Sequence, residues 1–456
     1  MSPHGFSRGG IARHPLGEDD LIAVLPTPKN QATPSNAFVA WLVLIGIAIP
    51  SGINSYLGVF YPARIFIALL LLPALAKLFR RDRRLGASDA LVCTMAIWML
   101  VAASQTDHEW SSTVALIVEF CGGYIVARAY FFGRPALETF VRVLKLITLV
   151  IIALAAFEHV TRHNIATLFG LPDTAHEYRY GLLRAYSTFP ISILFGTFCA
   201  CAGAVFLYSE RSFLGRISYG GLCFLGCVLA MSSAPLLAFM IVLSAYFYDR
   251  MLREYHWRWR LLVTVMYAFL AGVFMIANKP VSWLVANLTL DPSTGYFRVA
   301  TWDTALYYIP FSPYVGYGFA GFAPQDDFFG NASVDCVWLA MALRSGIPLV
   351  VLVLLAHIAS FRSNHSGNAQ HSDGPYVSNL RTGFTLALVA LMFVGLTVHY
   401  WNSIWMFWGV VLGIRASLGE LCLETRASAV VDRRRKLGYL VSSVAAQQAP
   451  GLYRIK

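Results

Sequence analysis

From residue 36 onward the chain alternates long apolar runs with short polar stretches. Ala37–Ile49, Ile65–Leu78, Leu146–Phe157 and Leu349–Ile358 carry a single charged side chain between them, Lys77. Such runs lack the two-residue alternation of a half-exposed strand. The longest stretches that hold them, such as 336–359, reach the length a bilayer needs, where backbone groups find no outside partner and the segment must be helical. The pattern predicts twelve spans, at about 36–50, 57–79, 88–104, 112–131, 143–160, 189–208, 216–231, 234–248, 261–277, 336–359, 383–400 and 402–418. Two of the boundaries rest on single polar interruptions, Ser232-Ser233 and His399–Asn402. The fold class expected is an all-α polytopic membrane protein.

The pattern also divides the chain. Residues 1–35 are polar and rich in Pro, Gly and Asn, with no apolar core of signal-peptide type, and are expected to form a disordered cytoplasmic tail. Helices 1–9 occupy 36–277 and include a polar loop at 161–188. A larger polar loop fills 278–335, helices 10–12 fill 336–418, and a basic tail closes the chain at 419–456. A short amphipathic stretch near Leu437–Val444 suits attraction to anionic lipid.

Composition removes the soluble alternative. Hydrophobic residues make up 57% and charged residues 13%, against about 25% charged in a soluble domain. The net charge of +11 would suit a nucleic-acid binder if it were clustered, but it follows the loops instead. With the N-terminus inside, the inner loops receive Arg80-Arg81-Asp82-Arg83-Arg84, then Arg128, Arg134, Arg142 and Lys145. Arg211 and Arg216, Arg250 to Arg260, Arg362, Arg381 and the tail cluster Arg433–Lys436 continue the series. The outward loops 51–56, 105–111, 232–233 and 399–402 hold no Lys or Arg. This is the positive-inside pattern, and the partner it names is a lipid bilayer. Seven of the eight cysteines, among them Cys199, Cys201, Cys223 and Cys227, lie in or beside apolar segments, and no second Cys/His pair gives them metal-ligand spacing. No metal and no cofactor is expected.

Positive charge is disfavoured on the outer face, so Arg162, Arg179, Arg184, Lys279 and Arg298 need a reason to be there. Arg162 and Arg179 suit exposed solubilising residues. Arg184 and Arg298 stand nearer to apolar spans, where an anion at the membrane boundary would meet them. The stretch from Tyr296 to Gly346 also holds Asp303, Asp326, Asp327 and Asp335, and any chemistry is expected there.

Several short strings then have to be read together. Leu183-Arg184-Ala185-Tyr186-Ser187-Thr188-Phe189-Pro190 precedes a span, and Ser232-Ser233-Ala234-Pro235 joins two spans. Gly295-Tyr296-Phe297-Arg298 stands before Pro313–Gly318, and Val334-Asp335-Cys336-Val337-Trp338-Leu339 leads to Arg344-Ser345-Gly346-Ile347-Pro348. In order and spacing these resemble the O-antigen ligase/polymerase superfamily of bacterial envelope glycosyltransferases, closest to exopolysaccharide polymerases of Wzy type. The resemblance covers about 36–418. It implies a GT-C-like helical fold in the bacterial inner membrane with a periplasmic cavity and catalytic loop. It also implies undecaprenyl-pyrophosphate-linked oligosaccharide as substrate, with a chain-length co-polymerase and export complex as possible partners. Ligases of the superfamily carry a His, then Asn, Ser or Gln, then nine residues, then Gly. Here Gly346 follows nine residues after Cys336, so Asp335 stands in the His position. That departure favours polymerase over ligase.

Glycosyl transfer from a pyrophosphate carrier needs a base for the acceptor hydroxyl and cations for the leaving group, and no metal. Asp335 is the expected base, with a helix N-cap as the alternative for an Asp at the head of an apolar run. Arg184 and Arg298 are the expected pyrophosphate ligands, and Arg344, in a long apolar run, is a further candidate. Asp303 could orient Arg298 or form a structural ion pair. Asp326-Asp327 reads as a solvated loop rather than an ion site, and His399-Tyr400-Trp401-Asn402 as an aromatic interface belt. Tyr307, Tyr308, Tyr314 and Tyr317 could stack on sugars or anchor the loop at the interface. A transporter is the alternative from another class. It is disfavoured by the absence of an evident internal repeat and by sparse mid-membrane ionisable residues. A scaffold for an export complex would leave Asp335 replaceable.

Overall fold

The computed structural model describes residues 34–50, 52–55, 58–80, 83–106, 108–165, 167, 177–179, 181–277, 292–319, 334–361 and 374–421. Asp326, Asp327, Lys279, residues 1–33 and the tail from 422 lie outside the described residues. Within them the protein is helical, with two small antiparallel hairpins. The helices are α1 (Pro34–Ala48), α2 (Pro62–Leu78), α3 (Ala87–Ser104), α4 (Trp110–Tyr130), α5 (Arg134–Thr161), α6 (Ser192–Ser209) and α7 (Phe213–Leu229). They continue as α8 (Ser233–Met251), α9 (Arg258–Ile276), α10 (Pro292–Tyr308), α11 (Val337–Phe361), α12 (Gly374–Val394) and α13 (Asn402–Leu421). Strands β1 (Ile53–Ser55) and β2 (Gly58–Phe60) link α1 to α2, and β3 (Tyr178–Arg179) and β4 (Leu182–Leu183) lie between α5 and α6.

Among the described residues, nine helices are long and apolar enough to cross a membrane, and α1 and α7 are shorter apolar helices. This is the architecture of an all-α polytopic membrane protein. α6 and α13 form its interior, being 94% and 89% buried over their apolar windows. α6 packs on α12, α7, α8 and α5. α4 approaches α13 closely because Gly409 and Gly413, four residues apart, present no side chain to it. A Cβ on either would stand 2.1 Å from the Phe120 carbonyl oxygen or 2.4 Å from that of Tyr124. Small residues at this spacing are how helices pack when lipid supplies no hydrophobic drive between them.

The helices differ from the sequence reading in several places. α12 spans Gly374–Val394 rather than 383–400, because hydropathy weighted its apolar half and missed the polar first turns. α5 begins at Arg134, nine residues before the apolar run at 143, with Pro135 in its first turn. The segment expected as the 278–335 loop contains a helix of its own, α10, too polar to register as a span. α4 also carries a π-turn at Val118–Gly122. The Leu116 carbonyl beside it accepts from Trp405 Nε1 at 3.1 Å.

Short connections reverse the chain between successive helices, so alternate connections gather at opposite ends. One end is closed by buried charge. Arg128 on α4 grips Asp89 on α3 with two bonds of 2.8 Å, and its Nη1 donates to Glu420 on α13 at 2.6 Å. Glu420 also accepts from Arg83 and from the Arg84 amide, and Tyr124 donates to Asp89. Every partner is satisfied, which is the condition under which a buried ion pair is tolerated. Removing the cation would strand two carboxylates. Arg128→Leu is expected to cost about 3–5 kcal/mol, read as a lowered denaturation midpoint of the full chain in detergent. The half-exposed pair Arg134–Glu138 should contribute under about 1 kcal/mol when broken.

Candidate functional site

At the opposite end the chain from 177 to 187 is tied to the ends of α5 and α7. The β3–β4 hairpin pairs Tyr178 with Leu183 and Arg179 with Leu182, turning through Gly181 at φ 76°. The Arg184 amide donates to the Glu177 carbonyl at 2.9 Å, and their side chains form an ion pair. The Ala185 amide reaches the Leu229 carbonyl at 3.0 Å, and His159 Nδ1 meets the Leu183 carbonyl at 2.8 Å. Buried Glu158 on α5 accepts the Tyr186 and Ser187 amides at 3.1 and 2.6 Å. Arg184 is therefore held by backbone on both sides, and Arg179 donates to the Met231 carbonyl at 3.2 Å.

α10 brings the second half of the site. Trp302 anchors it through Nε1 to the Leu396 carbonyl at 3.1 Å, and Ala305 is buried beside it. Arg298, one turn earlier, is only 8% exposed. Its charged neighbours are Asp335, Arg179 and Arg184. Burial pushes the guanidinium down first, Asp335 opposes this, and Arg179 and Arg184 add to it. Arg184 is pushed down in the same way, by burial first, with Glu177 opposing. Guanidiniums remain charged regardless. Arg298 Nη1 and Arg184 Nε are buried with no hydrogen-bond partner among the described residues. A buried donor left unpaired costs about 1–3 kcal/mol. An anion between these two residues would satisfy both donors and relieve the mutual repulsion of three arginines.

The structure brings Arg184, Arg298 and Asp335 together, and it adds Arg179. Asp335 is exposed rather than partly desolvated. Nor is it the cap of α11. The first helical bond runs from the Ala340 amide to the Cys336 carbonyl at 2.9 Å, so Cys336 is the N-cap. Asp335 stands one residue before the cap. Asp303 is not among the charged neighbours of Arg298. Five residues along a helix turn it by about 140°, so the orienting role falls away.

Arg344 lies elsewhere. α11 is broken directly after it, at Ser345 (φ −134°) and Gly346 (φ 79°). Pro348 has no amide to return to the Arg344 carbonyl. The loosened carbonyls of Leu343, Arg344 and Ser345 accept instead from the Tyr317 amide (2.7 Å), the Gly318 amide (3.1 Å) and Trp98 Nε1 (2.9 Å). The Ile347 amide donates to the Pro313 carbonyl at 2.8 Å. The break is thus where the segment Pro313–Gly318 docks. Arg344 meets His399 Nε2 at 3.3 Å beside a cavity of about 20 Å³, with the Phe319 ring 4.9 Å from its guanidinium. His399, in the loop after α12, is pushed down to about 3 by burial and then by Arg344. It is neutral, accepts from the arginine, and leaves a buried Nδ1 without a partner. The aromatic-belt reading of 399–402 is corrected here, because Tyr400 is buried and bonded to the Leu391 carbonyl. A lone polar tetrad beside an apolar run looks the same in sequence whether it faces lipid or interior. Of the four tyrosines, Tyr317 donates to the Tyr308 carbonyl at 2.8 Å and braces the loop, while Tyr307 and Tyr314 are exposed.

No protein-family model matches this sequence, and no curated protein matches it either.

Sequence reasoning missed Glu158, Glu177 and the place of Arg179. Glu158 carried a usable signal, a lone acid inside an apolar run. Arg179 carried none, since its neighbours come from three separate stretches. The docking at the α11 break yields a prediction. A Cβ on Gly346 would lie 1.7 Å from the Tyr314 carbonyl oxygen at a φ that L side chains avoid. Gly346→Ala should cost more than about 4 kcal/mol or yield no folded protein, measured by thermal unfolding in detergent. Gly272→Ala on α9, where a Cβ meets nothing within 4 Å, should be neutral or stabilise by up to about 1 kcal/mol.

Proposed function

We propose that this chain is a lipid-linked polysaccharide polymerase, a glycosyltransferase with twelve spans and a GT-C-like fold in the bacterial inner membrane. It joins undecaprenyl-pyrophosphate-linked repeat units at the periplasmic face. The observation that carries the reading is Arg298: a buried arginine on an outward-loop helix, with an unpaired Nη1, beside Arg184, Arg179 and an exposed carboxylate, Asp335. The string resemblance supports the substrate class. The basic end formed by Arg83, Arg84 and Arg128 supports the orientation.

In this reading the acceptor sugar hydroxyl attacks the anomeric carbon of the donor chain. The new oxygen–carbon bond forms as the bond from that carbon to the pyrophosphate oxygen breaks. The hydroxyl proton passes to the Asp335 carboxylate, which is reachable because it is exposed. Undecaprenyl pyrophosphate leaves with the negative charge, held by the Arg298 and Arg184 donors that have no partner among the described residues. Arg179 adds field from the hairpin. Arg344, paired with His399, would meet a second part of the same substrate.

Asp335→Asn tests the base without touching the cap, which is Cys336. It should express and insert normally, lower polymerisation about 10²–10⁴-fold, and let single lipid-linked repeat units accumulate. Wild-type polymerisation by the purified variant would end the assignment. Arg298→Lys keeps the charge and loses the fork, so it should already impair polymer length and yield with protein still in the membrane. Orientation is checked by cysteine labelling of intact cells. A Cys at exposed Tyr314 should react from outside and one at exposed Arg84 only after permeabilisation.

A further inference from the structure

A second arginine cluster lies at the other end of the molecule. Arg250 is seventeen residues along α8 from Ser233, about 25 Å from the Met231 end of that helix. There a cavity of about 140 Å³ is lined by Arg216, Arg250, Arg253 and Arg258 with one acid, Asp249. Asp249 is already engaged: Arg258 Nε donates to it at 2.6 Å and Tyr208 at 3.3 Å. Arg216 uses Nε and Nη2 on the Glu210 and Arg211 carbonyls, at 2.9 and 3.0 Å. Arg250 uses only Nε, on the Tyr246 hydroxyl at 3.2 Å, and its two terminal nitrogens make no hydrogen bond within the described residues. Arg253 is exposed at the rim. Four guanidiniums therefore share one carboxylate around a hollow, and α12 adds Ser378 and Asn379 to its wall.

We infer that this cavity binds a phosphate group, seated among Arg216, Arg250, Arg253 and Arg258. Clustered guanidiniums offer forked donors that match phosphate oxygens. Repulsion among them goes uncompensated by the single aspartate, and an anion relieves it. Arg258, the first residue of α9, stands in the cavity wall, and α9 has no buried residue. That position suits the headgroup of an anionic phospholipid, and a free phosphate would meet the same donors. The site is distinct from the Arg298 cluster, being at the opposite end of α8.

The test uses the full chain in neutral detergent, with phosphatidylglycerol, phosphatidylcholine and inorganic phosphate as separate probes. Bound lipid is counted by native mass spectrometry and phosphate by calorimetry. Phosphatidylglycerol should be retained in preference to phosphatidylcholine, and each arginine removed should weaken it about fivefold. Arg253→Gln, at an exposed position, is expected to fold normally and to show that fivefold loss. The Arg250→Gln/Arg253→Gln pair should approach twenty-five-fold. Phosphatidylglycerol binding without phosphate binding identifies a headgroup site, and arginine-dependent binding of phosphate alone identifies a free-anion site. Equal retention of the two lipids together with no phosphate binding overturns the inference. So does phosphatidylglycerol binding that Arg253→Gln leaves unchanged.

Discussion

A backbone carbonyl released inside a membrane helix has to find a donor within the protein, because lipid supplies none. In this molecule that requirement is concentrated at Ser345–Gly346, where α11 breaks and three consecutive carbonyls change partners. Two of the donors are the amides of Tyr317 and Gly318, and the third is the indole of Trp98. The segment Pro313–Gly318 is consequently not hung on the bundle but bonded into it. Its position, and that of α10 before it, follows from satisfying a helix that Gly346 and Pro348 interrupt. The π-turn of α4 is served in the same manner by Trp405.

The two ends of the bundle treat the same side chain differently. Arg128 is surrounded by acceptors and has none of its donors idle, as structural stability demands of a buried charge. Arg298 is nearly as buried, yet one terminal nitrogen has no acceptor and two further arginines press on it. The contrast separates a cation whose donors are all used from one with a donor left idle among the described residues. Desolvation is spent in both places, and only at the first is it returned within the protein.

Much of the bundle was legible because apolar length is a one-dimensional property. The runs beginning near 88, 234 and 261 begin within a few residues of α3, α8 and α9. Boundaries were less legible wherever a helix has a polar turn, as in Gly374–Thr382 of α12, since hydropathy sees the lipid-facing part and not the hydrogen-bonded length. α10 was invisible for the same reason. At the site, Arg184 and Arg298 could be singled out because positive charge is rare on that face. Arg179 could not be told from a solubilising residue. Asp335 and Cys336 could not be told apart as caps, because capping depends on which carbonyl accepts the first helical bond.

The sequence by itself determined the helical class, the course of the apolar helices and the segregation of charge, all of which follow from transfer free energies summed along the chain. It also marked the arginines that had no business in a region poor in positive charge. Tertiary structure alone decided that Arg179, Arg184 and Asp335 become charged neighbours of Arg298, that Arg344 pairs with His399, and that Arg216, Arg250, Arg253 and Arg258 line one cavity. Most of these contacts join segments tens of residues or more apart. Such contacts are chosen by packing and by hydrogen-bond completion between helices, which no local pattern of residues encodes.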